Sequence, residues 1–197
     1  MNDKSADLSN FPWAFDLIKA LWGVYFRIIG VEYQNPENIP RYGGAILAAN
    51  HITAIDPFGA AQPMRRRVHF MAKQESFLHA PLSWYMVAGN AFPVERGKLD
   101  LSAIKTALRL LQNNQLLVIF PQGTRGGRDL KGGTSFLALK AKVPVVPVGI
   151  RLENNWFGGK RYVFRYGQPI LPEGSNEQHT KKLEAAILAL EQPINNP

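Results

Sequence analysis

The chain has 197 residues, 46% of them hydrophobic and 19% charged, with 23 Lys and Arg against 15 Asp and Glu, a formal charge of +8 and no cysteine. A chain of this length reads as one domain with a core of its own, and its composition argues against intrinsic disorder. The lack of cysteine excludes disulfides, thiolate metal sites, iron–sulfur clusters and a cysteine nucleophile, while the positive charge favours an anionic partner: nucleic acid, an anionic membrane surface or a phosphorylated substrate.

The first ten residues carry Asp3 and Asp7 beside Lys4, and no small-residue cleavage site follows an apolar core, so no secretory signal is expected. The run from Phe11 to Val31 is rich in aromatics, but Asp16, Lys19 and Arg27 interrupt it. The roughly 20 apolar residues of a spanning helix are never assembled. At helical spacing Trp13, Leu17, Ile18, Leu21, Trp22, Tyr25, Ile28 and Ile29 make a broad apolar face, with the charges off it. Such a helix either packs on the domain's own core or lies in a membrane interface, which suits aromatic bodies with polar tips.

Prolines and glycines between Pro36 and Gly44 read as a loop, and from there short apolar runs alternate with helical patterns. Strands are predicted at residues 45–49, 68–72, 116–120, 145–150 and 162–166, and helices at 57–62, 75–88, 101–113, 133–141 and 178–190. The reading is an amphipathic segment over residues 1–35 followed by one α/β domain over residues 36–197.

The chemistry begins where the first apolar run ends, at Asn50-His51-Ile52-Thr53-Ala54-Ile55-Asp56-Pro57. A strand leading through a loop into a helix puts His51 at the carboxyl edge of the sheet, where open α/β sheets place their sites. Asp56 can turn back to accept the Nδ1 hydrogen of His51, fixing the tautomer and leaving Nε2 as a general base for a hydroxyl. Asp56 before Pro57 also reads as a helix N-cap, and the two roles can coexist.

A second segment, Phe120-Pro121-Gln122-Gly123-Thr124-Arg125, also follows an apolar run, and Arg128 and Lys131 extend its character. Free amides, a hydroxyl and a guanidinium suit a phosphate cradle, although the same residues read as a solvated glycine-rich loop. No Gly-Lys-Ser or Gly-Lys-Thr follows, so this is not a nucleotide P-loop. Arg96, four residues beyond Phe92, is either a phosphate ligand or an exposed arginine. Pro144 and Pro147 within Val143–Val148 point to an edge strand or the start of one.

In this order the four segments resemble those of the glycerolipid acyltransferases, especially the 1-acyl-sn-glycerol-3-phosphate (lysophosphatidic acid) acyltransferases. Asn50, His51 and Asp56 match the first block, N-H-x-x-x-x-D, and Phe92 and Arg96 match the second. Phe120, Pro121, Gly123, Thr124 and Arg125 match F-P-E-G-T-R, and residues 143–148 match a V-P-V-x-P-V-like run. The resemblance covers roughly Pro40 to Pro172. It implies a single mixed sheet flanked by helices, and acyl transfer from acyl-CoA or acyl carrier protein to the hydroxyl of a lysophospholipid at the cytoplasmic face of a membrane. It makes His51 and Asp56 the catalytic pair, with Phe92, Arg96, Gln122, Gly123, Thr124 and Arg125 binding substrate. Other lysophospholipids or a lyso-aminolipid are the alternative acceptors. No cofactor is implied, the acyl thioester being a co-substrate.

Gln122 departs from the family pattern, which usually has Glu there; Gln keeps an acceptor and adds donors but carries no charge. His69, His79 and His179 lack a carboxylate at the first block's spacing, and no cluster has metal-site composition, so no metal is expected. Ser135 lacks the G-x-S-x-G elbow of a serine hydrolase. Arg65, Arg66 and Arg67 read as a solvated loop or as contacts to anionic head groups or to the phosphates of CoA. A non-catalytic basic protein is the rival reading, but no nucleic-acid-binding motif is present and none is expected as a partner.

Overall fold

The computed structural model describes residues 12–79, 82–95, 100–122, 132–154 and 160–192. Chain order is α1 (Pro12–Ile28), β1 (Glu32–Gln34), β2 (Ala45–Ala49), α2 (Asp56–Ala61), β3 (Val68–Lys73), α3 (Leu82–Ala88), β4 (Ala91–Val94), α4 (Leu101–Gln112), β5 (Leu116–Ile119), α5 (Gly133–Ala141), β6 (Val145–Asn154), β7 (Lys160–Tyr166) and α6 (Asn176–Glu191). Among the described residues the strands form one sheet in the order β1-β7-β6-β2-β5-β3-β4. Its neighbours run parallel except β6 and β7, which are antiparallel, so the sheet is mixed as expected.

Strand β2 lies at the centre and all five of its residues are fully buried, which its continuous apolar run requires of a strand covered on both faces. Alternation sends Ala45, Leu47 and Ala49 into a core with Phe15, Ala60, Val68, Phe70 and Phe164, and Ile46 and Ala48 into another with Ala107, Leu111, Leu137, Leu183 and Ile187. Helices α1, α2 and α3 therefore cover one face and α4, α5 and α6 the other. Close approach is built in at Gly59 of α2, where a Cβ would stand 2.2 Å from Cζ of Phe164.

Of the apolar face predicted for α1, Trp22 turns inward but most of the rest stays exposed, and the buried side is built largely from residues outside that prediction. Ala14, Phe15 and Phe26 are buried, and the Trp22 indole stacks on Phe58 at 4.7 Å while its Nε1 donates to the Tyr85 hydroxyl at 2.6 Å. The Lys19 ammonium donates to the Met64 carbonyl, and Gln62 donates to the Lys19 carbonyl at 3.1 Å. Trp13, Leu17, Leu21, Val24, Tyr25 and Ile28 remain exposed on the other side.

Several boundaries move, each for a local reason. The helix read over 75–88 becomes a 3₁₀ turn at Gln74–Phe77 and a helix from Leu82, consistent with Pro81 having no amide hydrogen to give a helix running through it. Helix α6 starts at Asn176, because Ser175 and Gln178 form a reciprocal capping box. Strands β1 and β4 are additions to the predicted set: they are three and four residues long and lie at the sheet's two edges, where Pro93 is tolerated. Strand β1 also falls inside the 1–35 segment, so that segment contributes to the sheet.

Of the two readings of Pro144 and Pro147, an edge strand or the start of one, the edge is corrected, because β6 is internal, between β7 and β2, while Pro144 does stand at its start. Pro144 precedes the strand, and its carbonyl accepts from Ile46 at 3.0 Å. Pro147 shares its side of β6 with Val145, which bonds Ile170, and its own carbonyl accepts from Gly167 at 2.8 Å. Its missing amide hydrogen therefore faces the chain just past the end of β7, not the ladder to β2, and costs no β2 pairing.

Candidate active site

Strands β2 and β5 are parallel neighbours, so the loops leaving their carboxyl ends lie side by side. One is the His51 loop and the other carries Phe120. The Phe120 ring sits 4.3 Å from the imidazole of His51, centroid to centroid. Asn50 anchors the base of the first loop: its Nδ2 donates to the Ile150 carbonyl at 2.8 Å, and its Oδ1 accepts from the Ile150 amide at 2.6 Å. The side chain thus extends the β2–β6 ladder one step past the last backbone pair.

Asp56 is fully buried and His51 about 15% exposed. Asp56 Oδ2 lies 2.8 Å from His51 Nδ1 and accepts from the amides of Ile52 at 2.6 Å and Thr53 at 2.7 Å, while Oδ1 accepts from the Thr53 hydroxyl at 2.6 Å. The Asp56 oxygens already accept from three donors, so in the neutral tautomer of His51 the hydrogen sits on Nδ1 and the lone pair on Nε2. The N-cap reading of Asp56 is replaced. Ile55 is the cap, Asp56 is the first helical residue, and its carboxylate turns back over the loop instead of onto the helix's own amides.

His51 opens on a cavity of about 520 Å³ running between α2, α3 and the β3–β4 edge. Its wall is largely apolar, with Phe58, Phe70, Met71, Tyr85 and Met86, and Lys73 stands in it, half exposed and 3.1 Å from Glu75. This volume lies within the roughly 300–1,000 Å³ typical of small-molecule sites. Ala91 lines the cavity. Phe92, taken from the sequence as a substrate contact, points the other way into the core with Ala103 and Ala107. Strand alternation separates the two neighbours.

Gln122 is half-buried in the turn after β5. Arg96, Gly123, Thr124 and Arg125 lie outside the described residues, as do Arg128 and Lys131. The arginine triplet enters β3 at the opposite edge of the sheet from His51, and Arg66 donates to the carbonyls of Arg41 at 3.2 Å and Gly43 at 2.6 Å. His69 is buried, and desolvation followed by the Arg67 charge lowers it to about 4. Ser135 and His179 are bonded at 2.9 Å but nearly sealed from solvent. No group of three or more His, Asp and Glu suited to a metal occurs among the described residues.

Three contributors escaped the sequence reading. Thr53 lies within the His51–Asp56 segment, but its spacing alone does not show that its hydroxyl meets the Asp56 carboxylate. Lys73 and Tyr162 had no local signal, because only the fold brings them to this loop; the Tyr162 hydroxyl donates to Thr53 Oγ1 at 3.1 Å.

The architecture is thus an α/β sandwich with a His–Asp pair at its carboxyl edge beside an apolar cavity. Residues 30–151, more than half of the chain, match the Acyltransferase family, and the chain belongs to that family. It is 35% identical over 121 residues to the 1-acyl-sn-glycerol-3-phosphate acyltransferase of Bacillus subtilis, covering 60% of this chain and 61% of that protein. It is 33% identical over 160 residues to the enzyme of the same name from Streptococcus pneumoniae, covering 78% and 60%. The chain therefore spans about three fifths of these curated relatives. The crystal structure of the 1-acyl-sn-glycerophosphate acyltransferase of Thermotoga maritima superposes with a TM-score of 0.71 over 92% of this chain and 81% of that one, at 21% identity. That match establishes the fold.

Proposed function

We propose that the protein transfers a fatty acyl group from acyl-CoA or acyl carrier protein to the free hydroxyl of 1-acylglycerol 3-phosphate, giving phosphatidic acid. The observation that carries this reading is the His51–Asp56 pair facing an apolar cavity. The names of the two bacterial relatives support the choice of acceptor.

In this reading Nε2 of His51 takes the acceptor's hydroxyl proton as that oxygen attacks the thioester carbonyl. The tetrahedral intermediate then collapses, the carbon–sulfur bond breaks, and the imidazolium returns its proton to the leaving thiolate. Asp56 stabilises the imidazolium between the two steps. The cavity takes an acyl chain, and Lys73, with Arg96 and Arg125, holds the acceptor's phosphate. The exposed side of α1 sets the protein on the cytoplasmic surface of a membrane, where lysophospholipids reside; among the described residues no helix is long and apolar enough to cross one.

The test is transfer of a labelled acyl group from each donor to a panel of lysophospholipids in mixed micelles. Lysophosphatidic acid is the expected acceptor, and His51→Ala is expected to lose about 10²- to 10⁴-fold in rate with its circular dichroism unchanged. Undiminished transfer by His51→Ala removes the general base. Transfer confined to another lysophospholipid overturns the acceptor assignment and makes Gln122 the first specificity position to change, to Glu.

A further inference from the structure

The carboxylate that orients His51 is itself held from a distant strand. Strand β7 is antiparallel to β6, so its amino-terminal end reaches the catalytic edge, with Tyr162 opposite Leu152. The Tyr162 hydroxyl lies 3.1 Å from Thr53 Oγ1, which lies 2.6 Å from Asp56 Oδ1. A threonine hydroxyl has one hydrogen. Thr53 gives it to the carboxylate, so toward Tyr162 it can only accept, and the direction of every hydrogen in the chain is set: Tyr162 to Thr53, Thr53 to Asp56. On its other oxygen Asp56 takes the amides of Ile52 and Thr53 together with Nδ1 of His51.

We propose that Tyr162 and Thr53 are positioning residues, which act through Asp56 to hold the His51 imidazole in its proton-accepting orientation. This rests on the acyl-transfer reading. Burial of Asp56 makes the arrangement consequential, since a desolvated carboxylate that loses a donor turns toward whatever donors remain. With Oδ1 tied to Thr53, the carboxylate plane is fixed about its Cβ–Cγ bond and Oδ2 stays aimed at Nδ1. Tyr162 is suited to its task because its ring packs against Phe164, at 6.2 Å between centroids, and so its hydroxyl is delivered from a rigid sheet and not from a loop.

The experiment compares Tyr162→Phe, Thr53→Val and Thr53→Ser by steady-state kinetics, with thermal unfolding measured alongside. Tyr162→Phe is expected to lower kcat about 3- to 10-fold and Thr53→Val about 10- to 100-fold, the loss of a neutral and of a charged hydrogen bond, with KM for both substrates unchanged. Thr53→Ser keeps the hydroxyl and restores kcat to within about threefold. In an Asp56→Asn background, Tyr162→Phe has no further effect, as required of a residue acting through the carboxylate.

A second readout needs no turnover: in ligand-free enzyme with labelled histidine, the nitrogen resonance of His51 Nδ1 shifts in Tyr162→Phe. A Tyr162→Phe protein with wild-type kcat and an unmoved resonance overturns the proposal. So does an equal loss of kcat with and without Asp56. Should the wild-type protein transfer no acyl group while the resonance still moves, the assigned reaction fails and the positioning chain stands.

Discussion

The side chain of Asn50 replaces a missing rung of the sheet by pairing with both backbone groups of Ile150, 100 positions along the chain. Parallel pairing of β2 and β6 ends at Ala49 and Val148, and the backbone of His51 must leave the sheet plane to form the loop that leads to Asp56. Asn50 lets it leave without stranding the amide and carbonyl of Ile150, which is itself buried. Asn50→Ala leaves both groups unpaired at about 1–3 kcal/mol each, and Asn50→Asp, which loses the donor and sets an anion against a carbonyl, costs more. Denaturant unfolding of the two variants measures this; a midpoint unchanged in Asn50→Ala would show that water takes over the pairing.

Gly59 controls how deeply α2 sits on the sheet, and Asp56 begins the same helix. A methyl group there meets the Phe164 ring at 2.2 Å, so Gly59→Ala lifts the helix or displaces the ring. Overpacking of this kind costs about 1–3 kcal/mol. Unfolding of Gly59→Ala and of the double variant Gly59→Ala/Phe164→Leu is the measurement, and the smaller residue at 164 is expected to recover part of the loss.

The buried imidazole of His69 makes the fold acid-sensitive. Its folded value is lowered to about 4 from the ordinary 6.5, so between these limits the unfolded chain binds a proton that the folded chain refuses. Its contribution is fully present above about pH 6.5 and is lost as pH falls toward about 4, by up to about 1.4 kcal/mol per pH unit. A plot of Tm against pH is expected to slope less in His69→Gln than in the parent over this window. Parallel slopes would assign the acid sensitivity to other groups.

Helix α1 carries an exposed stripe at Trp13, Leu17, Leu21, Val24 and Ile28, between about 52% and 78% exposed, at successive spacings of four, four, three and four residues on the side away from the core. Leu21→Asp/Ile28→Asp is expected to abolish co-flotation with vesicles containing anionic phospholipid while leaving Tm within a degree or two, since surface substitutions seldom move stability much. Retained flotation would place the membrane contact elsewhere.

Much of the His51–Asp56 arrangement was legible from residue order alone. A fully apolar pentapeptide, a polar loop and an Asp-Pro helix start lie within 13 residues, so strand, turn and helix are decided by local periodicity and by proline chemistry. The same holds for α4, whose apolar spacing and Asp100 cap fall within one short stretch. What the sequence determined by itself is therefore the longer local elements, without the edge strands β1 and β4, and the His51–Asp56 spacing.

The tertiary structure decided the rest, because it depends on which distant segments pair. Residue order left Pro147 at an edge strand or at the start of a strand; because β7 stops at Tyr166, that proline fits inside the sheet. Periodicity saw one apolar face on α1, and only the partners Phe58, Tyr85, Gln62 and Met64 show which part of it turns inward. Residue order offers Phe92 as a substrate contact, and only the fold shows that Ala91 lines the cavity while Phe92 faces the opposite core. Tyr162 reaches Asp56 through Thr53 only because β7 runs antiparallel beside β6, a pairing of chain segments whose hydrogen bonds leave no periodic trace in either one.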